Sequence, residues 1–547
     1  MATRRWCAPA SAQRGVFDLL GVAAAYDLAR RRLARDPSFR RARPRWRAYL
    51  RTTGPPALDP GIADCITSPG CFHNHEAVEA AGDLELLRTG LRSSVAGSKL
   101  ADPTRTRADA VRTVAVEAPG ALAPTARSTG PGPHRGLGLI SDARLYPLAY
   151  HALSSAMVGE TILGLGRSAP AAAVTVFRRA IGAQAALTGP EGDLSYIGRR
   201  QEQSWPLAAA AYAAITAAAA FAEDRPAAAR YRALAARALD RLERVHGIGP
   251  GGVAVVPRFR EAAASGPAAT GREAAAPGRR LGFAGLDFSN TVVWNGLTVF
   301  LLDRAAEVAR RYPAAAPVPG APLPADRDGA FVDSAGAGFA AVRSGDLWFA
   351  VNGRPLQPDL RYDTGLVALE RRDPDGSWRA LIRPRPMTVG RPPSSAGPVL
   401  VVGGREWFPY ARRLRVGPRR VVTLRAGFVD GAGTDLGRTV VVRYAPVPGG
   451  VRVSFPLRAG DTVRMRTFVP AAQARRRRDG RVEDADAVAT LRPRPDRVAL
   501  QRGFASCCDA RLAQATMELT VARGRLVSYT VRDRRLSAAT AGVGAYT

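Results

Sequence analysis

Lysine is almost missing from this chain of 547 residues: Lys99 stands alone, so nearly all of the 79 basic residues are arginine. Histidine and cysteine are scarce as well, at five each, the cysteines being Cys7, Cys65, Cys71, Cys507 and Cys508. No CxxC pair and no Cys/His cluster has zinc-ligand spacing, which argues against the common structural zinc modules. Cys65 and Cys71 bracket a turn-rich loop that a disulfide can close, but adjacent cysteines such as Cys507 and Cys508 rarely pair with each other, so the redox compartment stays open. Long apolar runs are lacking too. The alanine-rich stretch from Leu207 to Phe221 is too short to cross a bilayer and reads as buried helix, so no membrane span is expected. The basic opening Met1-Ala2-Thr3-Arg4-Arg5 suits a signal peptide, but Asp18 and Asp27 interrupt the apolar stretch that follows. No nucleophile elbow, P-loop, HExxH or dinucleotide fingerprint is present, and Gly136-Leu137-Gly138 follows no predicted strand.

Acidic residues are in the minority: 47 against 79 basic ones, a formal charge of +32. A surface this positive attracts polyanions, whether nucleic acid, anionic polysaccharide or acidic lipid. Arginine alongside abundant Ala, Gly and Pro also resembles the coding bias of a GC-rich genome, a source of positive charge that needs no functional cause. A nucleic-acid binder concentrates its basic residues, often with aromatics between them, on one small module. Here they are spread over both halves, and nucleic acid is not the expected partner. The densest run, Arg475 to Arg478, reads as a solvated loop before Asp479-Gly480. With 46% hydrophobic and 23% charged residues, the chain is globular and long enough to bury two substantial cores.

The first part has helical periodicity over Val16–Arg35, His75–Leu91, Leu145–Leu165, Ala171–Leu187, Gln201–Ala222, Ala227–Val245 and Thr291–Tyr312. Breakers separate these segments, among them Gly54-Pro55-Pro56, Gly189-Pro190 and the Gly/Ala/Pro stretch from Gly247 to Arg280. Successive amphipathic helices of this kind pack as a bundle, a solenoid or a closed double ring. After a Pro/Ala linker, Pro313 to Pro324, short alternating runs take over. They include Leu347–Val351, Leu366–Glu370, Val399–Val402, Val421–Ala426, Thr439–Tyr444, Val451–Phe455, Thr462–Phe468, Met517–Val521 and Leu526–Val531. Turn residues punctuate them, as in a large antiparallel sandwich. The expectation is therefore an α+β multidomain chain, helical over residues 1–320 and an antiparallel β-sandwich over 325–547.

Chemistry-bearing residues gather in five places. His73-Asn74-His75-Glu76 follows a Ser-Pro-Gly turn where a helix begins; the plain alternative is Asn74 as a helix cap with exposed histidines. Neighbouring residues on one loop seldom converge on an ion, so no metal site is expected here. Tyr150-His151 stands one turn into an apolar helix, where a hydrogen-bonded core pair is the alternative. The stretch from Asp193 to Trp205 sends Tyr196, Arg199, Arg200, Gln201, Gln203 and Trp205 straight into an alanine-rich helix. Trp stacks on sugar faces, while Arg and Gln bind carboxylates and hydroxyls in fork geometry. Asn290 with Trp294 and Asn295 repeats the polar-aromatic pattern at another helix start. Asp359-Leu360-Arg361-Tyr362-Asp363 follows the strand that carries Trp348. A pair of glycosidase carboxylates would come from Glu76, Asp142, Asp193, Glu202 and Asp287.

Helices followed by an antiparallel sandwich, with Asn74-His75 and a later Tyr150, resemble the polysaccharide lyases of the heparinase II/III-like, alginate and hyaluronan/chondroitin groups. Asn74-His75 looks like their Asn-His pair, Tyr150 is similar in placement to their catalytic tyrosine, and Trp294-Asn295-Gly296-Leu297 resembles their last toroid helices. The resemblance implies an (α/α) toroid of helical hairpins and β-elimination on an acidic, uronate-containing polysaccharide, without metal or cofactor. Asn74 with Arg199 or Gln203 would neutralise the uronate carboxylate; His75 or Tyr150 would be the base, and Tyr150 the acid. His151, Tyr196, Arg200, Gln201, Gln203, Trp205, Asn290, Trp294 and Asn295 would line the substrate cleft. A secreted or cell-surface monomer is the corresponding expectation. A hydrolase or epimerase on the same scaffold, or a non-catalytic carbohydrate-binding protein, are the alternatives.

Overall fold

The computed structural model describes residues 16–52, 77–78, 81–82, 84–85, 88–89, 138–140, 148–194, 204–246, 291–333, 338–353, 364–382, 396–430, 434–504 and 512–536. Its helices are α1 (Val16–Arg32), α2 (Pro37–Thr52), α3 (Leu148–Leu165), α4 (Ala171–Leu187), α5 (Ser204–Ala220), α6 (Arg225–His246) and α7 (Thr291–Arg311). All but α2 were expected from the sequence; Pro44 and the dense arginines hide the periodicity of α2. Local chemistry sets the boundaries. α4 begins after Pro170 and stops before Gly189-Pro190. α6 starts at Arg225-Pro226, and the Asp224 carboxylate caps it by accepting from the Ala227 N–H at 3.2 Å. α6 buries Ala227, Tyr231, Leu234, Ala235, Ala238 and Leu242 along one stripe. α5 is different: every residue from Ser204 to Ala218 is buried, as befits a helix with neighbours on all sides.

Side-chain registers give the directions of these helices. Tyr150 meets Trp205 and Glu160 meets Tyr212, so α3 and α5 run parallel. Ser204 bonds Thr298 at 2.8 Å and Glu160 reaches Arg304, so α7 runs the same way. Gln184 donates to the Ala210 carbonyl at 2.9 Å while Phe177 stacks on Phe221, which sets α4 antiparallel to α5. α6 returns antiparallel to α5, with Tyr231 against Phe221. These are antiparallel hairpins in series. In addition, α1 touches α7 through the ion pairs Arg31–Glu307 at 3.2 Å and Arg32–Asp303 at 3.7 Å.

A buried ionic cluster lies between them. Glu160 accepts from Arg304 and from the Tyr212 hydroxyl, and pairs with Arg88 at 2.8 Å. Glu85 pairs with Arg88 at 3.0 Å and Arg304 at 3.3 Å. Burial holds the Arg304 guanidinium below its ordinary pKa and the Tyr212 phenol well above its own. Such charges persist inside a fold only when mutually satisfied.

The remainder is antiparallel sheet. Strands β1 (Gly329–Asp333), β2 (Phe339–Ser344), β3 (Leu347–Asn352), β4 (Gly365–Arg372) and β5 (Trp378–Ile382) form one sheet in that order. A second sheet of twelve strands comprises β6 (Val399–Val402), β7 (Arg405–Val416), β8 (Val422–Val429), β9 (Val440–Val447), β10 (Gly450–Leu457), β11 (Thr462–Pro470), β12 (Arg475–Arg476), β13 (Val482–Glu483), β14 (Ala487–Arg492), β15 (Arg497–Phe504), β16 (Leu512–Thr520) and β17 (Arg525–Asp533). Its spatial order is β12-β13-β14-β17-β10-β9-β8-β7-β6-β11-β16-β15. β7 joins the two halves of this sheet, and Pro409 with an irregular register between Ala411 and Arg413 lets so long a strand bend.

The five-stranded sheet is covered on both faces. Phe339, Ala341, Trp348, Ala350, Val367 and Ala368 belong to the core of the helices. The intervening Ala340, Val342, Phe349, Val351, Leu366 and Leu369 belong to the core shared with the twelve-stranded sheet. Helices, small sheet and large sheet therefore stack as three layers. This explains why β3 and β4 read as continuous apolar runs rather than clean alternation. The run Arg475 to Arg478, expected as a solvated loop, is in part the short strand β12 in a hairpin that turns at Asp479-Gly480, with Arg477 bonded to Glu483 at 2.6 Å. Among the described residues no helix is long and apolar enough to cross a membrane.

Candidate functional site

Because α3, α5 and α7 run parallel, their N-termini lie at one end of the helical layer. Residues from three of the polar clusters picked out in the sequence therefore lie towards that end: Tyr150-His151 on α3, Trp205 in the first turn of α5, and Trp294-Asn295 in the opening turns of α7. The C-termini of the antiparallel helices α4 and α6 face the same way, so positive and negative dipole ends alternate there.

Tyr150 is 8% exposed and packs edge to face on Trp205 with ring centroids 5.5 Å apart. Trp205 is 0% exposed, so it offers no face to a sugar; its role in this structure is to back Tyr150. His151 is 1% exposed, and both ring nitrogens are taken. Nδ1 accepts the Ile140 N–H at 3.0 Å and Nε2 lies 3.0 Å from the Ala180 carbonyl, which requires the Nε2–H tautomer. Burial drives the imidazole pKa down to about 4. A neutral ring so engaged has no nitrogen left for a ligand, and His151 belongs to the core as the hydrogen-bonded half of the Tyr/His pair. Asn74, His75, Tyr196, Arg199, Arg200, Gln201, Gln203 and Asn290 lie outside the described residues, as do Cys65, Cys71, Glu76, Asp142, Glu202, Asp287 and the 359–363 stretch.

The same end of the layer holds a residue that the sequence did not single out. Glu370, on β4, is 7% exposed and sits beside Trp348, its register partner on β3. It reaches the turn at Gly189–Asp193 that follows α4. A Cβ on Gly189 would lie 2.9 Å from the Glu370 carboxylate and 3.5 Å from the Trp348 ring, so a side chain at 189 would push the carboxylate aside. Glu370 Oε2 is buried without a hydrogen-bond partner among the described residues. Burial pushes its pKa up to about 8; Asp193 and Glu191 push the same way, while Arg241 and the Glu191 N–H oppose them. At neutral pH this is a protonated carboxyl group. The signal in the sequence was slight: an acid ending the apolar run Leu366-Val367-Ala368-Leu369. Nothing in that run tells that the sheet would be covered on both sides. A buried carboxyl with a strongly raised pKa beside a cluster of candidate residues is a common mark of a functional site. Asp193, the one candidate carboxylate among the described residues, lies at the end of the same turn.

The sequence matches no protein-family model and no curated protein. Solved structures with a related outline are polysaccharide lyases. The heparan sulfate lyase HepC of Pedobacter heparinus aligns over 94% of this chain and 68% of its own, at 11% identity and TM-score 0.45. A heparinase III aligns over 94% and 69%, at 9% identity and TM-score 0.48. The chondroitin AC lyase of Streptomyces coelicolor A3 covers 94% and 79%, at 12% identity and TM-score 0.28. At such identities and scores the likeness is one of general architecture and says nothing about activity.

Proposed function

We propose that this chain is a polysaccharide lyase that cleaves an acidic, uronate-containing polymer by β-elimination, acting outside the cell as a monomer. In this reading residues 1–320 close into an (α/α) toroid and residues 325–547 form the sandwich beside it. The observation that carries the reading is the convergence of the Tyr150, Trp205 and Trp294-Asn295 helix starts at one end of the helical layer. The chain as a whole carries a formal charge of +32, which suits an anionic polymer.

Elimination needs three things from such an end. Asn74 with Arg199 or Gln203 neutralises the uronate carboxylate, which makes the neighbouring C5 proton acidic and stabilises the enolate-like intermediate. His75 or Tyr150 removes that proton, and its bonding electrons form the C4–C5 double bond as the C4–O4 bond breaks. Tyr150 returns a proton to O4, the leaving group. Tyr150 suits an acid–base role in one further respect: Trp205 fixes its ring from the core side.

The test is incubation with alginate, hyaluronan, chondroitin, heparan sulfate and polygalacturonate while following the ultraviolet absorbance of the new C4–C5 double bond. A rise lost in Tyr150→Phe and in Asn74→Ala supports elimination and names the polymer. Reducing ends without that chromophore would sink the lyase reading in favour of a hydrolase, with Asp193 or Glu202 as its acid.

A further inference from the structure

We infer that the outer face of strands β7, β8, β9, β10, β17 and β14 is a docking surface for an anionic polysaccharide chain, separate from the helix-end site. This rests on the proposed acidic-polysaccharide reading only in the choice of polymer.

Strand register defines the face. One row crosses six strands: Arg415, Thr423, Arg443, Ser454, Ser528 and Arg492 are consecutive cross-strand partners. On one side of it, Arg413 stands opposite Arg425, which stands opposite Val441. On the other, Arg452 lies between Ala445 and Thr530, which partners Thr490. Arg413, Arg415, Arg425, Arg443, Arg452 and Arg492 are all exposed, while the alternate residues Leu414, Leu424, Val442, Val453 and Leu491 are buried. At about 4.8 Å per strand, the long row extends roughly 24 Å.

Two features separate this face from a general excess of arginine. Several arginines in or beside the sheets are by contrast paired with acids: Arg371 with Asp346 at 2.7 Å, Arg438 with Asp461 at 2.6 Å, Arg464 with Glu406 at 2.6 Å. No Asp or Glu occupies any position of these rows, and the six arginines make no ion pair among the described residues. The Tyr410–Arg412–Asp435 cluster marks the margin of the face, with the Tyr410 ring covering Gly427. Second, Arg413 and Arg425 are direct cross-strand partners, an arrangement of like charges that weakens a sheet. A polyanion lying across the rows removes that repulsion and gains the charge-assisted bonds. The residues between the arginines are Thr423, Ser454, Ser528, Thr530 and Thr490, hydroxyls suited to sugar hydroxyl and acidic groups. No aromatic ring lies in the rows to stack a base, which disfavours single-stranded nucleic acid.

The test uses the full chain and the triple variant R413Q/R425Q/R443Q, with thermal melting to confirm that both are folded. Binding is measured to long heparan sulfate, chondroitin sulfate and alginate chains, to duplex DNA and to phosphatidylserine vesicles, across ionic strengths. The expected result is about a tenfold loss of affinity for at least one long polysaccharide near 0.15 M salt, with a salt dependence shallower by roughly two to three charges. Elimination of a short oligosaccharide by the variant should equal that of the parent. Unchanged polysaccharide affinity overturns the inference, as does tighter binding of DNA or vesicles than of every polysaccharide. Loss of polysaccharide binding in the variant, with no unsaturated product from the parent on any polymer, leaves the docking face standing and removes the lyase reading. The converse, a working lyase whose binding ignores the substitutions, removes the docking face alone.

Discussion

Tyr150 on α3 and Trp205 on α5 meet edge to face with ring centroids 5.5 Å apart, so the first turns of two parallel helices are joined through one aromatic contact. Tyr150→Phe keeps the ring and loses only the hydroxyl. It should lower the elimination rate by about a hundredfold or more, the scale of an acid–base group, while keeping the ring contact with Trp205. Trp205→Ala, by contrast, opens a cavity and should cost about 3–5 kcal/mol in denaturant unfolding. If Tyr150→Phe lowered stability as much as Trp205→Ala and left activity intact, Tyr150 would be a core residue only.

Glu370 predicts a slope of stability with pH. Its carboxyl is held at about 8 in the fold against an ordinary 4.5, so between those values the folded chain keeps a proton that the unfolded chain releases. Stability from this group is complete below about pH 4.5 and is lost as the pH rises through about 8, at roughly 1.4 kcal/mol per pH unit. Glu370→Gln mimics the protonated form, and its melting curve should lack this slope and lie above the parent at pH 9. Identical pH profiles for the two proteins would show that Glu370 is not protonated in the fold.

His151 predicts the opposite slope. Its pKa is lowered from 6.5 to about 4, so the unfolded chain takes up a proton that the folded chain refuses, and stability falls as the pH drops from about 6.5 towards 4. His151→Leu should remove this component and cost about 2–3 kcal/mol at pH 7, by orphaning the buried Ile140 N–H. Urea midpoints at pH 7 and pH 5 check both.

Glu160 accepts from Arg304, Arg88 and Tyr212 inside the helical core. Glu160→Gln removes one of the carboxylates facing the buried Arg304 guanidinium, leaving Glu85 and Glu307 to hold it, and should cost roughly 1–3 kcal/mol. Combining it with Arg304→Met should cost less than the sum of the two single changes, since the pair acts as a unit. Additive losses would show that the two do not interact.

Much of the secondary structure was legible along the chain, because it follows from local period and punctuation. α4 spans Ala171–Leu187 as expected, and β6 spans Val399–Val402. β2, β5, β7, β14 and β15 were not among the runs named from the sequence; in β5 and β7 the polar residues do not alternate cleanly, since β5 lies at a sheet edge and β7 bends across two half-sheets. Tyr150 and Trp205 were recognisable by type as polar or aromatic residues at helix starts. Their mutual contact was not, since 55 residues of chain separate them and only parallel packing of α3 and α5 brings them together.

The sequence by itself determined the order of helices then strands, the breakers between them and the arginine-based charge of +32. Each of these is a property of composition or of a few neighbouring residues. The tertiary structure alone decided that β3 and β4 are covered on both faces, that His151 spends both nitrogens on backbone, and that Glu370 lies under Gly189. It alone decided, too, that six arginines share one sheet face without an acid among them. Burial, tautomer, pKa and cross-strand charge all depend on residues distant in the chain, and no local pattern encodes them.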